Sequence, residues 1–209
     1  MTSFESVIEA WDADGKTGGR HIHPLDPDTE SFWALGRAQA AEVTAYAKPG
    51  RGEFVIDFGC GIGRLAIPLV AMGYNVLAVD ASTAMLDHLA RRAAAAGVEV
   101  GALRSDGSDL PDIIQHVIGE RAAVVVARAV LIHHDYEGVE RIVQALAACL
   151  RPGGHLIADW PVGERRERRD WIGVTTWEPG HREEVAERAG LEPVKGGAVS
   201  VWRKREASS

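Results

Sequence analysis

The chain of 209 residues has very little cysteine: Cys60 and Cys149 are the two. Two thiols cannot build a disulfide framework, and their spacing is not that of a metal site. No run of about 18 apolar residues is present, which excludes a transmembrane helix and a membrane role of that kind. The stretch Met1 to Trp11 carries acids where a secretory signal would carry lysines and an apolar core, so the expected location is cytoplasmic. Positive charge is in deficit, 23 Lys and Arg against 30 Asp and Glu, for a net charge of -7. An acidic chain repels phosphate backbones on average, so no nucleic-acid partner is expected unless a local basic patch overrules that average. No internal repeat is visible. What remains is an ordinary globular composition, 46% hydrophobic and 25% charged, at a length that fits a single domain with a sizeable core.

Residues 1–50 form a helical, loop-rich lead-in. Phe4, Val7, Ile8 and Trp11 fall at helical spacing. The Gly, Asp, His and Pro content of Asp12 to Pro27 predicts a loop. A second helix is expected over about Glu30 to Ala47, ended by Lys48-Pro49-Gly50. From there apolar runs alternate with helical stretches. The runs are Phe54–Phe58, Val76–Val79, Val98–Leu103, Val124–Ala127 and His155–Asp159, and the helices fall at about 62–72, 83–96, 110–119 and 137–150. Near-continuous apolar strands alternating with helices predict an α/β fold, a parallel sheet covered on both faces. Gly97 suits a helix end with positive φ, whereas Pro68 inside the first of these helices should remove a backbone bond and bend it. After a charged stretch, Glu164 to Asp170, a helix at about His181–Ala189 leads to two short strands, Glu192–Lys195 and Ala198–Arg203. Gly196-Gly197 turns between them, so the last strand should run antiparallel. Lys204 to Ser209 read as a tail.

The chemistry concentrates in Phe54-Val55-Ile56-Asp57-Phe58-Gly59-Cys60-Gly61-Ile62-Gly63-Arg64. A buried strand runs into a glycine turn and then a helix. Glycines let the backbone pass close under a ligand, and a helix start presents free N–H groups. Dinucleotide domains share this idea, but here the third glycine follows the first by four residues where their fingerprint wants five. Asp57 also sits just upstream. A carboxylate there gives a pyrophosphate nothing, and gives a ligand with a cationic amino-acid end a partner. Asp80 ends the second strand, where an acid can accept from both ribose hydroxyls; the alternative is a helix-start acid ahead of Ser82. Asp106 follows the third strand, where a carboxylate can accept an adenine amino group; the alternative is a turn aspartate beside Gly107.

The order Val55-Ile56-Asp57-Phe58-Gly59-Cys60-Gly61-Ile62-Gly63, Ala78-Val79-Asp80-Ala81-Ser82, Asp106, then Leu150-Arg151-Pro152-Gly153-Gly154 resembles the class I S-adenosylmethionine-dependent methyltransferases. Glu183 to Pro193 is similar to that family's last helix and strand. The resemblance spans about residues 50–203. It implies a single Rossmann-like domain, a cofactor-binding core over 51–203 behind an N-terminal lid or substrate segment, and a seven-stranded sheet in the order 3-2-1-4-5-7-6 with strand 7 antiparallel. It implies S-adenosylmethionine as cofactor, with contacts from Asp57, Gly59, Cys60, Gly61, Gly63, Asp80, Ala81, Asp106 and Gly107. Arg128 and Ala129 would lie beside the methionine part. Arg128 departs from the family's small or neutral residues there, so it must point away from the sulfonium or pair with an acid.

The acceptor side is less explicit. His133-His134-Asp135 follows the fourth strand, and a histidine there can serve as catalytic base; in an extended segment only one of the pair would face the site, with Asp135 orienting it. The alternative is a structural role at the next helix. Trp160 ends the fifth strand at the carboxyl edge, where ligands bind in open α/β sheets, and is expected in the pocket wall. Trp11 and Trp33 are further candidates, with Trp171 and Trp177 equally able to be core. The arginines of 164–170 fit a solvated surface stretch or an anion patch. No metal is expected, with His21, His23 and the pair His133-His134 the residues that leave the question open. The expected function is methyl transfer to an oxygen or nitrogen of a small metabolite by a monomer or homodimer. The alternatives are a peptide or protein acceptor, a non-catalytic S-adenosylmethionine-binding protein, or a nicotinamide oxidoreductase.

Overall fold

A computed structural model describes residues 3–16, 26–164, 174–197 and 199–206. Two helices lead the chain, α1 (Ser3–Lys16) and α2 (Glu30–Ala47). The core follows as β1 (Phe54–Phe58), α3 (Ala66–Ala71), β2 (Asn75–Asp80), α4 (Thr83–Ala95), β3 (Gly101–Arg104), α5 (Leu110–Ile113), β4 (Ala122–Ala127), α6 (Tyr136–Cys149), β5 (Leu150–Asp159), α7 (Pro179–Arg188), β6 (Leu191–Lys195) and β7 (Val199–Lys204). The seven strands lie in the order β3-β2-β1-β4-β5-β7-β6. β1 to β5 are parallel, while β7 runs antiparallel to both β5 and β6. This is the expected sheet.

The central strands carry continuous apolar runs because both faces are covered. β1 and β4 are buried along their whole length. One face packs under α5, α6 and α7 through residues such as Ile56, Val125, Ile142 and Trp202; the other packs under α2, α3 and α4 through Val55, Val124, Val43 and Leu89. Right-handed crossovers of this kind put every β-to-α connection at the carboxyl edge of the sheet. That edge carries the site.

Several boundaries differ from expectation for local reasons. Asp12–Lys16 continues α1 instead of forming a loop. Gly15 is a point of close approach there, since a Cβ would lie 2.9 Å from Ala84 Cβ in α4. The rest of the expected loop, 17–25, and with it His21 and His23, lies outside the described residues. α3 starts at Ala66 rather than near residue 62 because the glycine turn occupies 61–65. Pro68 therefore falls in the first turn of α3, where its missing N–H has no intrahelical partner to lose. The helix expected at 110–119 is α5 followed by a π turn, Ile114–Ile118, ending at Gly119 with φ +73°. β3 begins at Gly101 rather than Val98. β5 begins at Leu150, so Arg151 to Gly154 is strand, with a register shift opposite Ala122–Val124. Gly97 ends its helix with φ +70°, as expected.

Candidate functional site

A cleft of about 880 Å³, open mouth included, sits at the carboxyl edge between the ends of β1, β2, β3 and β4. The glycine turn forms its floor. Gly59 N and Cys60 N both donate to the Val79 carbonyl, at 2.8 and 3.0 Å, which ties the turn to β2. Gly59 and Gly61 hold φ of +69° and +52°, conformations that strain any other residue. A Cβ on Gly59 would also lie 2.3 Å from Val130 Cγ2 on the opposite wall. Gly61 N donates to Asp80 Oδ2 at 2.8 Å and Ser82 N to Asp80 Oδ1 at 2.9 Å. Asp80 thus braces the turn, keeps lone pairs toward the cleft, and leaves capping of α4 to Ser82, which accepts from Met85 N at 3.2 Å. Burial pushes the Asp80 carboxyl up, against the amide bonds that favour its charge.

Asp106 also lines the cleft. Its Oδ1 accepts from the Ser108 amide and hydroxyl at 2.9 and 2.6 Å, so it is both turn aspartate and wall carboxylate. Burial acts to raise it, but the Ser108 bonds and the nearby Arg141 outweigh that and hold it below its ordinary value. Of the residues expected to touch the cofactor, Gly59, Cys60, Gly61, Asp80, Ala81, Asp106, Arg128 and Ala129 line the cleft. Gly63 and Gly107 lie behind the wall. A Cβ would meet Leu89 Cδ1 at 2.3 Å in the first case and the Phe58 ring at 3.1 Å in the second, so packing holds those two glycines.

Asp57 lies in β1 behind the same wall, 3% exposed, and its Oδ2 has no hydrogen-bond partner among the described residues. Burial pushes its carboxyl up to about 7; Arg64 pulls it down and Asp80 raises it further. An orphaned buried carboxylate oxygen beside a ligand cleft fits a cationic ligand group.

The β4 end is built around a half-buried ion network that sequence reasoning did not locate. Arg128 Nη1 lies 3.0 Å from Glu42 Oε2 in α2, and its Nε lies 3.0 Å from Asp159 Oδ1 at the end of β5. Asp159 Oδ2 accepts from Ala129 N at 2.7 Å and so holds Ala129 at φ +56°. The requirement that Arg128 pair with an acid is met twice. Only the need for a counter-charge was legible; Glu42 and Asp159 are far apart in sequence and carry no motif.

The opposite wall comes from α1, through Val7, Ile8 and Trp11, and from the segment after β4. α1 docks on α4: Ser82 Oγ donates to Asp12 Oδ1 at 2.9 Å, and His88 Nε2 lies 3.0 Å from the Gly15 carbonyl. Residues Leu131–His133 form a 3-10 turn, not an extended segment, so both His133 and His134 line the cleft. His133 packs edge-to-face on Trp11, ring centroids 5.2 Å apart. Asp135 does not orient either histidine; it caps α6 by accepting from Gly138 N at 2.8 Å.

Two tryptophans leave the site. Trp160 is fully buried against Trp177 and Trp202, with centroids at 5.6 and 5.5 Å, away from the cleft wall. The β5 carboxyl edge is covered there by the Val162–Trp177 bridge, which brings Trp177 over it. Trp33 packs under Arg92 and donates Nε1–H to the Pro27 carbonyl at 3.0 Å. Trp171 and the arginines of 165–170 lie outside the described residues. Among the described residues no group of three or more His, Cys, Asp or Glu can hold a metal ion, and no helix is long and apolar enough to cross a membrane.

Residues 55–154 match the family described as methyltransferase domain. The ubiquinone biosynthesis O-methyltransferase of Rickettsia felis is 31% identical over 158 residues, 75% of this chain and 58% of that protein. An uncharacterized methyltransferase of Mycobacterium bovis is 33% identical over 131 residues, 63% of this chain and 48% of that protein. The chain thus spans less than two thirds of the length of these curated relatives. Among solved structures, magnesium protoporphyrin IX methyltransferase from Synechocystis PCC 6803 with bound SAM superposes with a TM-score of 0.73 at 19% identity, covering 99% of this chain and 98% of that one. The 1,6-didemethyltoxoflavin-N1-methyltransferase of Burkholderia thailandensis gives 0.70 at 18% identity, over 97% and 88%. These two likenesses establish the fold. The matched domain, the glycine turn and the 3-2-1-4-5-7-6 sheet make the chain similar to the S-adenosylmethionine-dependent methyltransferases.

Proposed function

We propose that the protein transfers the methyl group of S-adenosylmethionine to an oxygen or nitrogen of a small, largely apolar metabolite. The observation that carries this reading is the two-sided cleft. One wall offers Asp80, Asp106 and the glycine turn; the other offers Val7, Ile8, Trp11 and the two histidines. When bound, the cofactor supplies an electrophilic methyl group on a sulfonium. Asp80 accepts from the ribose hydroxyls, Asp106 accepts from the adenine amino group, and Asp57 answers the α-ammonium. The apolar side chains of α1 exclude water and hold the acceptor in line, which contributes up to about 7–11 kcal/mol to such reactions in favourable cases. His133 takes the proton of a hydroxyl or ammonium acceptor. Residues 1–50 serve as the lid and substrate segment of a single domain. The magnesium protoporphyrin, toxoflavin and ubiquinone-pathway enzymes named among the neighbours support a small-molecule acceptor. A cytoplasmic monomer or homodimer without a nucleic-acid partner fits the acidic composition.

The test is thermal stabilisation by S-adenosylhomocysteine and by NADH, followed by transfer of labelled methyl to a panel of phenols, carboxylic acids and amines. Stabilisation by the first ligand alone, with labelled small product, is the expected result. Label appearing only in added peptide or protein would move the acceptor class, and binding with no turnover on any acceptor would make this a binding protein.

A further inference from the structure

The histidine turn is held from outside. His133 N donates to the Val130 carbonyl at 3.0 Å and His134 N to the Leu131 carbonyl at 3.3 Å, and these bonds use the first two carbonyls of the turn. Backbone carbonyls in such a place still need donors. Those of Ile132 and His134 are both taken by one residue, Thr175, on the connection between β5 and α7. Thr175 N donates to the Ile132 carbonyl at 2.9 Å, and Thr175 Oγ1 donates to the His134 carbonyl at 2.7 Å. Thr175 therefore grips the backbone on each side of His133.

Thr175 is fully buried, and the tryptophan core fixes its own place. Trp177 N donates to the Pro161 carbonyl at 3.1 Å, and the Trp177 carbonyl accepts from Gly163 N at 2.9 Å. The Trp177 ring packs edge-to-face on Trp160 and on Tyr136, whose Oη donates to the Thr176 carbonyl at 3.0 Å. A threonine offers two donors from one residue, amide and hydroxyl, on a side chain that is stiff at χ1. On the cleft side the His133 ring meets Trp11 of α1. The imidazole is thus set between α1 and a brace that comes from 41 residues beyond His134. At the other end of the same segment, Asp159 accepts from Ala129 N at 2.7 Å. The run from Ala129 to His134 hangs on the end of β5 and the chain that follows it.

We infer that Thr175 is the positioning residue of His133: it fixes the backbone on both sides of that residue and so aims the imidazole into the cleft. The hydroxyl carries the effect, not the volume of the side chain. Thr175 does not line the cleft and acts through His133. The inference takes its chemical meaning from the reading of His133 as base, and adds to it the residue that holds the base in place.

The test sets side chains that keep the hydroxyl, the parent and Thr175→Ser, against side chains that lack it, Thr175→Val and Thr175→Ala. The first readout needs no acceptor. With isotope-labelled histidine, the nuclear magnetic resonance signal of the His133 ring is assigned by its loss in His133→Gln. The parent and Thr175→Ser should show one sharp signal with a nuclear Overhauser contact to the Trp11 ring. Thr175→Val and Thr175→Ala should broaden or split that signal and lose most of the contact. Affinity for S-adenosylhomocysteine should stay within about twofold of the parent in every variant, because the altered site is remote from the glycine turn. Single-turnover transfer to a phenol, carboxylic acid or amine that the parent methylates should slow by about ten- to a hundredfold without the hydroxyl and recover in Thr175→Ser. A His133 signal unchanged in Thr175→Val and Thr175→Ala overturns the assignment, as does a Thr175→Ser protein as impaired as Thr175→Ala. If the variants lacking the hydroxyl do not fold, the unaltered protein decides: Overhauser contacts from Thr175 to both Ile132 and His134 support the brace, and their absence overturns it. Transfer at the parent rate by His133→Ala, with the His133 ring displaced in Thr175→Val, would bring down the base reading while supporting the brace.

Discussion

The two walls of the cleft are built from different materials. The wall proposed for the cofactor is backbone and carboxylate: a glycine turn tied to Val79 by two amide bonds, with Asp80 bridging Gly61 and Ser82. The wall proposed for the acceptor is side chain: Val7, Ile8 and Trp11 on a helix laid over the sheet edge, and two histidines at a 3-10 turn. The first wall is fixed by the same strands that make the core. The second is fixed by the docking of α1 on α4 through Asp12, Gly15, Ser82 and His88. A common ligand needs the rigid wall; a particular substrate needs the adaptable one. Substitutions in the two walls should therefore separate cofactor affinity from methyl transfer.

The largest effect is expected on the cofactor wall. Gly61→Val should leave a folded protein with no measurable S-adenosylhomocysteine binding, because φ of +52° is closed to a β-branched residue. Unimpaired calorimetric binding by that variant would detach the turn from the ligand. Next comes Asp80→Ala. Two charge-assisted hydrogen bonds to ribose, each worth about 1.5–3 kcal/mol, predict a loss of roughly a hundredfold or more in affinity. An unchanged dissociation constant would remove the ribose assignment.

The acceptor wall should behave in the opposite way. His133→Ala should slow single-turnover methyl transfer by roughly a hundredfold while cofactor affinity stays at the parent value. His134→Ala serves as the comparison, because both rings line the cleft. Parent rates in both variants across pH would make the pair structural.

The smallest expected effect sharpens the comparison from within the cofactor wall. Asp57, pushed up to about 7 by burial, is partly protonated in the free protein near neutrality. An ammonium ligand favours the ionised form, so affinity for S-adenosylhomocysteine should rise with pH through about 7, by about tenfold per unit at most below it, and level off above. In the free protein the sign is reversed. A carboxyl whose folded value is raised adds stability below its unfolded value near 4, and that contribution is lost as pH rises through about 7. Asp57→Asn should flatten both profiles. A pH-independent affinity in the parent protein would show that Asp57 does not answer the ligand's charge.

The same division explains what the sequence made legible. The five parallel strands were visible as apolar runs and the last two from the turn at Gly196-Gly197, and the glycine turn with Asp80 and Asp106 stood out because their chemistry is local to strand ends. Misreadings arose where a residue's role depends on a distant neighbour. Gly15 looks like a helix breaker, yet it is the point where α1 meets Ala84. Trp160 stands at the carboxyl edge, yet the bridge of Val162 to Trp177 buries it. An extended His133-His134 segment would have put one ring in the site, whereas the 3-10 turn puts both there. Asp159 and Glu42 find Arg128 across 31 and 86 residues of chain, with no spacing rule to announce them.

The most direct test of the two-wall account is a crystal structure with S-adenosylhomocysteine bound. The account predicts the ribose hydroxyls on Asp80, the adenine amino group at Asp106, and the thioether sulfur turned toward Trp11 and His133. Density for the ligand outside this cleft, or a sulfur facing away from α1 and the histidine turn, would contradict it.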